Sequence, residues 1–487
     1  MLEVRKSHSA SHRLAAHQSG GAIAVRKDGN PSDGAIKVGA GDSWQGSRRA
    51  SEGTRRCPIE AKANTLLMIN FGLEPVGLAI LTVVAWICAF GWLGFAVFAL
   101  YGLAQRKPLP ATSVSQLTTN PPLVSILLPA RNEAHRVLAQ ALASVLAQDY
   151  KQIEVIAVND RSTDGTGSIL ASFAEADDRL RVINNTEPPA GWLGKPYALQ
   201  RALEASHGEW IVTLDADMIL EPAAIRTALG QALAGDYDVL TLMPSFETGS
   251  FWERAFTPAW LLTLFGGYPF FVLNNQKMRQ AFAFGGFSLI HREALAGIAS
   301  FTAVRADIVE DIRLAELLKR SGARYRIEHA PNLMRTRMQN GLREIWDFLS
   351  RGMFAGMRYS IVLAALTVTT GYAFVVAPVF VAIVCLLLVL TGSSELSGLL
   401  FPTLVIWGTQ VLTLALICGK FKIPIGYAFT TPLGFSLFYT ALLTSTVSIV
   451  RGKGVAWKGR KIYELGGVGL PVRGDEVHQP VVDKQVL

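Results

Sequence analysis

Residues 76 to 101, "VGLAILTVVAWICAFGWLGFAVFALY", carry no charge at all. About 20 apolar residues suffice to cross a bilayer as a helix, and a helix is the one open segment that satisfies its own backbone hydrogen bonds there. Residues 71–104 are therefore expected to form a transmembrane helix. Arg106 and Lys107 follow at once, and positive flanks favour the cytoplasmic side, so what comes next is expected in the cytosol. Three further runs, 361–390, 397–418 and 425–450, are again apolar and nearly uncharged, which makes 359–451 a carboxyl-terminal membrane region of about three segments. Pro432 and Gly434 in the last run fit either one kinked span or a re-entrant pair. The basic clusters at Lys420/Lys422 and at 451–461 both call for the cytoplasmic side, in conflict with a simple count of crossings, so the topology of this end stays open.

Composition agrees with a membrane protein. Charged residues make up 17% of the 487, against roughly 25% in ordinary soluble domains, and mean hydropathy is +0.30. The net charge of +8 sits in the amino-terminal tail and beside apolar segments, where anionic lipid is the simpler partner. No nucleic-acid motif is present, and no nucleic-acid partner is expected. The four cysteines form no CxxC pair and no metal-ligand spacing, which argues against a disulfide framework. Residues 1–70, rich in Gly, Ser, Ala and Arg, read as a disordered tail without the apolar run of a signal peptide. Met68 stands just before the first apolar run, so a start there would leave out residues 1–67. Residues 452–487 read as a polar tail.

Between the membrane parts, 120–358 alternates strand-like and helix-like patterns. "LVSILLPA" (123–130), "IEVIAVND" (153–160), "LRVINN" (180–185), "EWIVTLDAD" (209–217) and "DVLTLMP" (238–244) are strands, separated by helical stretches such as Glu133 to Ala147. Such alternation builds a parallel sheet covered on both faces, with ligands bound outside the carboxyl ends of the strands. Three of these ends carry the polar groups: "PARNEA", "NDRSTDGT" and "DADM". Acids at spacing i, i+2 leaving a strand can face one side. Asp217 can then reach a cation while Asp215 approaches a sugar or ribose. Mg2+ or Mn2+ is typically held by one or two carboxylates plus substrate phosphates, which suits a nucleotide diphosphate. D-x-D alone is common, and by itself a solvated turn is the plainer reading; the polar neighbouring strand ends favour the functional one.

Taken in order, "VSILLPARNE", "SVLAQDY", "VNDRSTDGT", "GWLGKPYALQRA", "TLDADM", "AFGGFSLIHREA" and "VEDIRLAELLKRSG" resemble the family 2 glycosyltransferases, from about Leu123 to Met353. With the flanking spans and "GVAWKGRKIY", the chain looks most like the bacterial membrane branch associated with hopanoid (hopene) biosynthesis. The resemblance implies an α/β fold of the GT-A type, a Rossmann-like nucleotide-sugar-binding domain between transmembrane α-helices. It implies that Pro129, Ala130, Arg131 and Glu133 border the nucleotide and that Asp160 hydrogen-bonds the base. An Asx-turn explains Asp160 as well, and Asn159 stands where many members have a further acid. Lys195, before a helix, is placed to meet phosphate or to be a solvated surface lysine. Glu310 and Asp311 suit helix-start charges; by resemblance Asp311 is the base for the acceptor hydroxyl, Glu310 its supporter, and the metal lies on Asp217 with Asp215. An inverting single displacement follows.

The acceptor side is apolar. "AWLLTLFGGYPFFV" (259–272) is too short to span and suits an interface, and 342–360 reads as an amphipathic helix, either on the cytosolic leaflet or packed on the domain. Gln339 and Arg343 lack the Q-x-x-R-W spacing of processive synthases, so one sugar per acceptor is expected. The whole reads as an inner-membrane, multi-pass enzyme taking a nucleotide-sugar donor and a lipid acceptor, with other lipid-biosynthesis enzymes as further partners. Transfer to polyprenyl phosphate, a nucleotidyltransferase and a non-catalytic membrane scaffold are the alternatives.

Overall fold

The computed structural model describes residues 75–104, 109, 120–392, 394, 396–457 and 460–462. The expectations placed on the tail 1–70, on Met68, on Arg106 and Lys107 and on most of 452–487 lie outside the described residues. The chain begins with α1 (Pro75–Ala104), followed by β1 (Val124–Ala130), α2 (Leu138–Leu146), β2 (Ile153–Asn159), α3 (Thr166–Ala176), β3 (Leu180–Asn184) and α4 (Gly194–Glu204). Next come β4 (Trp210–Leu214), β5 (Met218–Leu220), α5 (Ala224–Ala234), β6 (Val239–Met243), β7 (Ser245–Phe246), α6 (Phe251–Gly267) and α7 (Phe270–Leu273). Then follow β8 (Phe287–His291), α8 (Arg292–Ala296), α9 (Glu310–Arg320), β9 (Tyr325–His329), β10 (Met334–Thr336) and α10 (Gly341–Gly356). The rest is α11 (Ile361–Gly371), α12 (Ala377–Leu390), α13 (Ser397–Lys420) and α14 (Thr431–Val450), closed by the short pair Val455–Trp457 and Arg460–Ile462.

Seven strands form one sheet in the order β3-β2-β1-β4-β8-β6-β9. Side chains alternate between its faces as the pleat requires. Val124, Ile126 and Leu128 join one apolar cluster with Val155 and Ala157, while Leu127 joins another with Ile156 and Val158. All are fully buried, the Val, Leu and Ile side chains each worth roughly 1.5–3 kcal/mol of transfer free energy. The second cluster is continuous with Trp92, Phe265, Cys418 and Phe435, so the sheet and the apolar helices share one core.

The sheet is mixed, not parallel throughout as the alternation suggested. β8 runs antiparallel to both neighbours, with Leu214 opposite Phe287 and Thr241 opposite Ser288. The reason is the connection. After β6 the chain departs into α6 and α7 and returns at the edge it left, so β8 starts where β6 ends. β8 and β9, hidden in "FSLIH" and "YRIEH", went unread as strands. A small sheet, β5-β10-β7, lies beside the "DADM" end of β4.

Among the described residues, five helices are long and apolar enough to cross a membrane: Pro75–Ala104, Phe251–Leu273, Ile361–Leu390, Ser397–Lys420 and Ile425–Val450. The second departs from expectation. Its amino-terminal end lies upstream of Ala259, at Phe251, because Ser250 caps it by accepting from the Glu253 N–H. Only 11% of the most apolar window of α1 is buried in the protein, against 61% of that of Phe251–Leu273. α10 begins at Gly341 and buries Ile345, Leu349 and Phe354. Ser445 of α14 donates to its Ser350 carbonyl (2.5 Å), so it packs on protein.

The segment joining α11 to α12 is a wider helical turn, Tyr372–Val376. Its freed carbonyls are not left bare. Trp92 Nε1 donates to Phe374 O (2.8 Å) and Gln410 Nε2 to Val375 O (3.1 Å), which pins three apolar helices together. Lys420 Nζ donates to Leu103 O (2.8 Å), so the carboxyl ends of α13 and α1 lie on one side. Pro432 sits in the first turn of α14, where a missing N–H is harmless, at the junction with the 3-10 turn Ile425–Thr430 that precedes it in the same span.

Candidate active site

β1, β2 and β3 end in register, Ala130 opposite Asn159 and Asn159 opposite Asn184. Arg131, Asp160 and Asn185 therefore form a row just past the carboxyl edge. Arg131 donates to the Asp160 carbonyl (3.3 Å) and lies 3.4 Å from its Oδ2. Arg161, at φ 55°, folds back onto the same carboxylate, 2.8 Å from Oδ1. The turn contacts considered for Asp160 are made by its neighbours: Asn159 Oδ1 accepts from Ser162 N–H (3.2 Å) and Asp164 Oδ1 from Thr166 N–H (3.0 Å). Gly194 is required here, since a Cβ on it would stand 2.5 Å from Asp160 Oδ2. Asn185, 7% exposed, has both its amide nitrogen and oxygen buried without a partner among the described residues.

Ala130 is buried at the end of β1, and the Glu133 N–H donates to Thr166 Oγ1 (2.8 Å). The helix expected from Glu133 starts only at Leu138, because residues 134–137 are spent in a turn that aims Arg136 at the acids.

A narrow cleft lies at the ends of β1 and β4 and the start of β8, lined by Pro129, Lys195, Asp215, Gly285, Glu310 and Asp311 among others. Lys195, in the first turn of α4, places Nζ 2.7 Å from Asp215 Oδ1 and 2.8 Å from Glu310 Oε1. Burial works against its charge, but Asp215, Glu310 and Asp311 outweigh burial and hold its pKa well above that of an ordinary lysine. Asp311 is pushed up to about 7 by burial and by Glu310, against the pull of Lys195 and of the Ile312 N–H, with Asp215 adding to the rise. Both acids open α9, so they also meet the positive end of its dipole. Gly285 lets the chain pass between the carboxylates: a Cβ there would lie 2.7 Å from Asp311 Oδ2 and 3.5 Å from Asp215 Oδ2.

Asp217 faces a different cation, with its Oδ2 3.4 Å from Arg136. Among the described residues no group of three or more His, Cys, Asp or Glu could hold a metal ion. The donor chemistry still fits Mg2+ or Mn2+. Asp215 and Asp217 offer hard carboxylate oxygens on side chains 34% and 19% exposed, and these ions take one or two such ligands plus phosphate.

Two arginines escaped the sequence reading. Arg136 is one. Arg351, on α10, has its pKa lowered by burial, while Glu310, Asp215, Asp311 and Asp347 oppose the drop; the helix read as amphipathic thus brings a cation to the acids. Asn185 escaped as well, because a lone amide after a strand carries no pattern.

A mixed α/β sheet of this order, gathering acids and cations past its strand ends and docked on apolar helices, is a GT-A-like core. Residues 125–298 match the family described as Glycosyl transferase family 2, and the chain carries a domain of that kind there. It is 31% identical over 118 residues to glycosyltransferase GlyG of Streptococcus pneumoniae, covering 24% of this chain and 38% of that protein. It is 28% identical over 200 residues to 4,4'-diaponeurosporenoate glycosyltransferase of Staphylococcus aureus, covering 41% of this chain and 52% of that protein. The chain thus spans about half or less of these relatives. A mannosyltransferase of Pyrobaculum calidifontis, solved with GDP-Man and Mn2+, aligns at TM-score 0.46 and 17% identity over 76% of this chain and 98% of that one. A glucosyl-3-phosphoglycerate synthase of Mycobacterium tuberculosis, solved with Mn2+ and UDP, aligns at TM-score 0.34 and 20% identity over 53% of this chain and 84% of that one.

Proposed function

We propose that this chain transfers one sugar from a nucleotide-diphosphate sugar to a lipid acceptor at the membrane, with inversion at the anomeric carbon. The observation that carries the reading is the cleft in which Lys195, Asp215, Glu310 and Asp311 converge beside a core shared with the apolar helices. The catalytic unit is 120–358, between the spans 71–104 and 359–451, set in the inner membrane with the cleft on the cytosolic side.

Asp311 is the base. Its raised pKa suits proton removal near neutral pH, and its carboxylate takes the acceptor hydroxyl proton as the oxygen attacks the anomeric carbon. Glu310 supports it by keeping Lys195 charged and in place. Arg131, Glu133, Pro129 and Ala130 border the nucleotide. Asp160, held by two arginines, is a fixed acceptor for the base, and Asn185 adds a donor and an acceptor that the protein leaves unused. Asp217 with Asp215 would hold Mg2+ or Mn2+, which when bound neutralises charge on a diphosphate. Lys195 balances Asp215 and Glu310 and gives the departing phosphates a nearby cation.

A lipid acceptor is supported by the apolar helices that pack against the sheet, and by the lipid-like acceptor in the name of the Staphylococcus aureus relative. A hopanoid-type lipid is the reading carried from the sequence, polyprenyl phosphate the alternative, and other lipid-biosynthesis enzymes would be natural neighbours. The test is incubation of the purified chain, Mn2+ and labelled UDP- or GDP-sugars with extracted membrane lipid. Label entering the lipid fraction supports sugar transfer; label entering only from nucleoside triphosphates supports a nucleotidyltransferase.

A further inference from the structure

We propose that Arg136 is a positioning residue that couples the seat of α10 to what Asp217 holds. The inference rests on the sugar-transfer reading of the site and goes beyond it, since nothing in that reading requires Arg136. One terminal nitrogen of its guanidinium lies 3.4 Å from Asp217 Oδ2 and 3.9 Å from Glu344 Oε2. The same nitrogen donates to the carbonyls of Arg337 (2.9 Å) and Met338 (3.0 Å), and Nε lies 3.8 Å from Glu133 Oε2. That nitrogen carries only two protons. Both are spent on the two carbonyls, so Asp217 and Glu344 hold Arg136 by charge alone, and the Asp217 carboxylate pulls the guanidinium away from the loop it bonds.

The loop it holds leads directly into α10. Glu344 is in the first turn of that helix, and Arg351 further along meets the charges of Glu310, Asp215 and Asp311. Were a divalent cation bound at Asp217, its charge would end the pull of that carboxylate on Arg136 and leave the bonds to the Arg337 and Met338 carbonyls unopposed. Loading of the donor site then tightens the loop and seats the helix that approaches the base. The loop does not depend on Arg136 for its existence. From the other side Glu253 accepts from the Gly341 N–H (2.8 Å) and from both Nε and NH2 of Arg337 (3.0 Å each).

Hydrogen exchange of the full chain in lipid nanodiscs, with and without Mn2+ plus UDP or GDP, tests this, with Mn2+ binding read separately by electron paramagnetic resonance. In the wild type, loading should slow exchange across 337–344 by at least about threefold, the scale of one strengthened hydrogen bond. Arg136→Gln should still fold and bind Mn2+ with nucleotide, and should lose that protection. Arg136→Lys, a point charge without the fork, should keep only part of it. Wild type that binds Mn2+ and nucleotide without protecting 337–344, or Arg136→Gln that protects as the wild type does, overturns the proposal. If the wild type binds Mn2+ with neither nucleotide, the donor-site reading falls and the coupling falls with it.

Discussion

The ammonium of Lys195 stands 2.7 Å from Asp215 Oδ1, and this ion pair joins the first turn of α4 to the end of β4 across the cleft. The same ammonium reaches Glu310, so a residue read as a phosphate ligand is also the counter-ion of the acid cluster.

Lys195→Met should therefore change the pH profile as well as the rate. Lys195 holds the Asp311 pKa down against burial and Glu310. Without it the carboxyl keeps its proton to higher pH, so the acid limb of kcat/KM, expected near 7 in the wild type, should move upward. The loss of rate should be larger at pH 6.5 than at pH 9, on the order of 10²-fold at the lower pH. A profile displaced downward would contradict the arrangement.

Asp311→Asn should raise the melting temperature while removing activity. The folded carboxyl binds its proton more tightly than the unfolded one, so stability falls as pH climbs from about 4 through about 7. Above that window an amide relieves the cost. Melting curves at pH 5 and pH 8 should show the gain at pH 8 and little at pH 5.

Gly285→Ala tests the cleft's geometry. The added methyl would stand 2.7 Å from Asp311 Oδ2, too close to stay, and 3.5 Å from Asp215 Oδ2, an ordinary contact, so the Asp311 carboxylate must move. Displacement of a reacting group by about 1 Å costs roughly 10²-fold in rate, which steady-state kcat should register while nucleotide binding stays near normal.

Asn185→Ala should weaken nucleotide without weakening the fold. Its buried amide has no partner among the described residues to lose. A lost hydrogen-bonding partner is worth about 1–3 kcal/mol, so calorimetry should find the nucleoside diphosphate bound roughly tenfold more weakly, with the melting temperature unchanged.

Much of this arrangement is legible in the sequence because its causes are local. Apolar runs such as 76–101 and 126–130 must be buried or spanned, the acids at 215 and 217 follow a strand signal, and those at 310 and 311 open a helical one. What escaped depends on partners far along the chain. β8 reads as an ordinary turn-flanked run until its return from α6 and α7 makes it antiparallel. Glu253 made the start of α6 look polar, although Arg337, 84 residues away, satisfies it. Arg136 meets Arg337 and Met338 about 200 positions downstream, at separations of 201 and 202. No spacing rule reaches that far.

The central claim is that Asp311 removes a proton from a lipid hydroxyl as a nucleotide sugar gives up its sugar. Its most direct test is single-turnover sugar transfer to extracted membrane lipid by wild type and Asp311→Asn, at matched occupancy of Mn2+ and UDP- or GDP-sugar. The account predicts glycolipid from the wild type, equal donor binding by the variant and at least about 10³-fold slower transfer by it. Glycolipid formed by Asp311→Asn at the wild-type rate would contradict it.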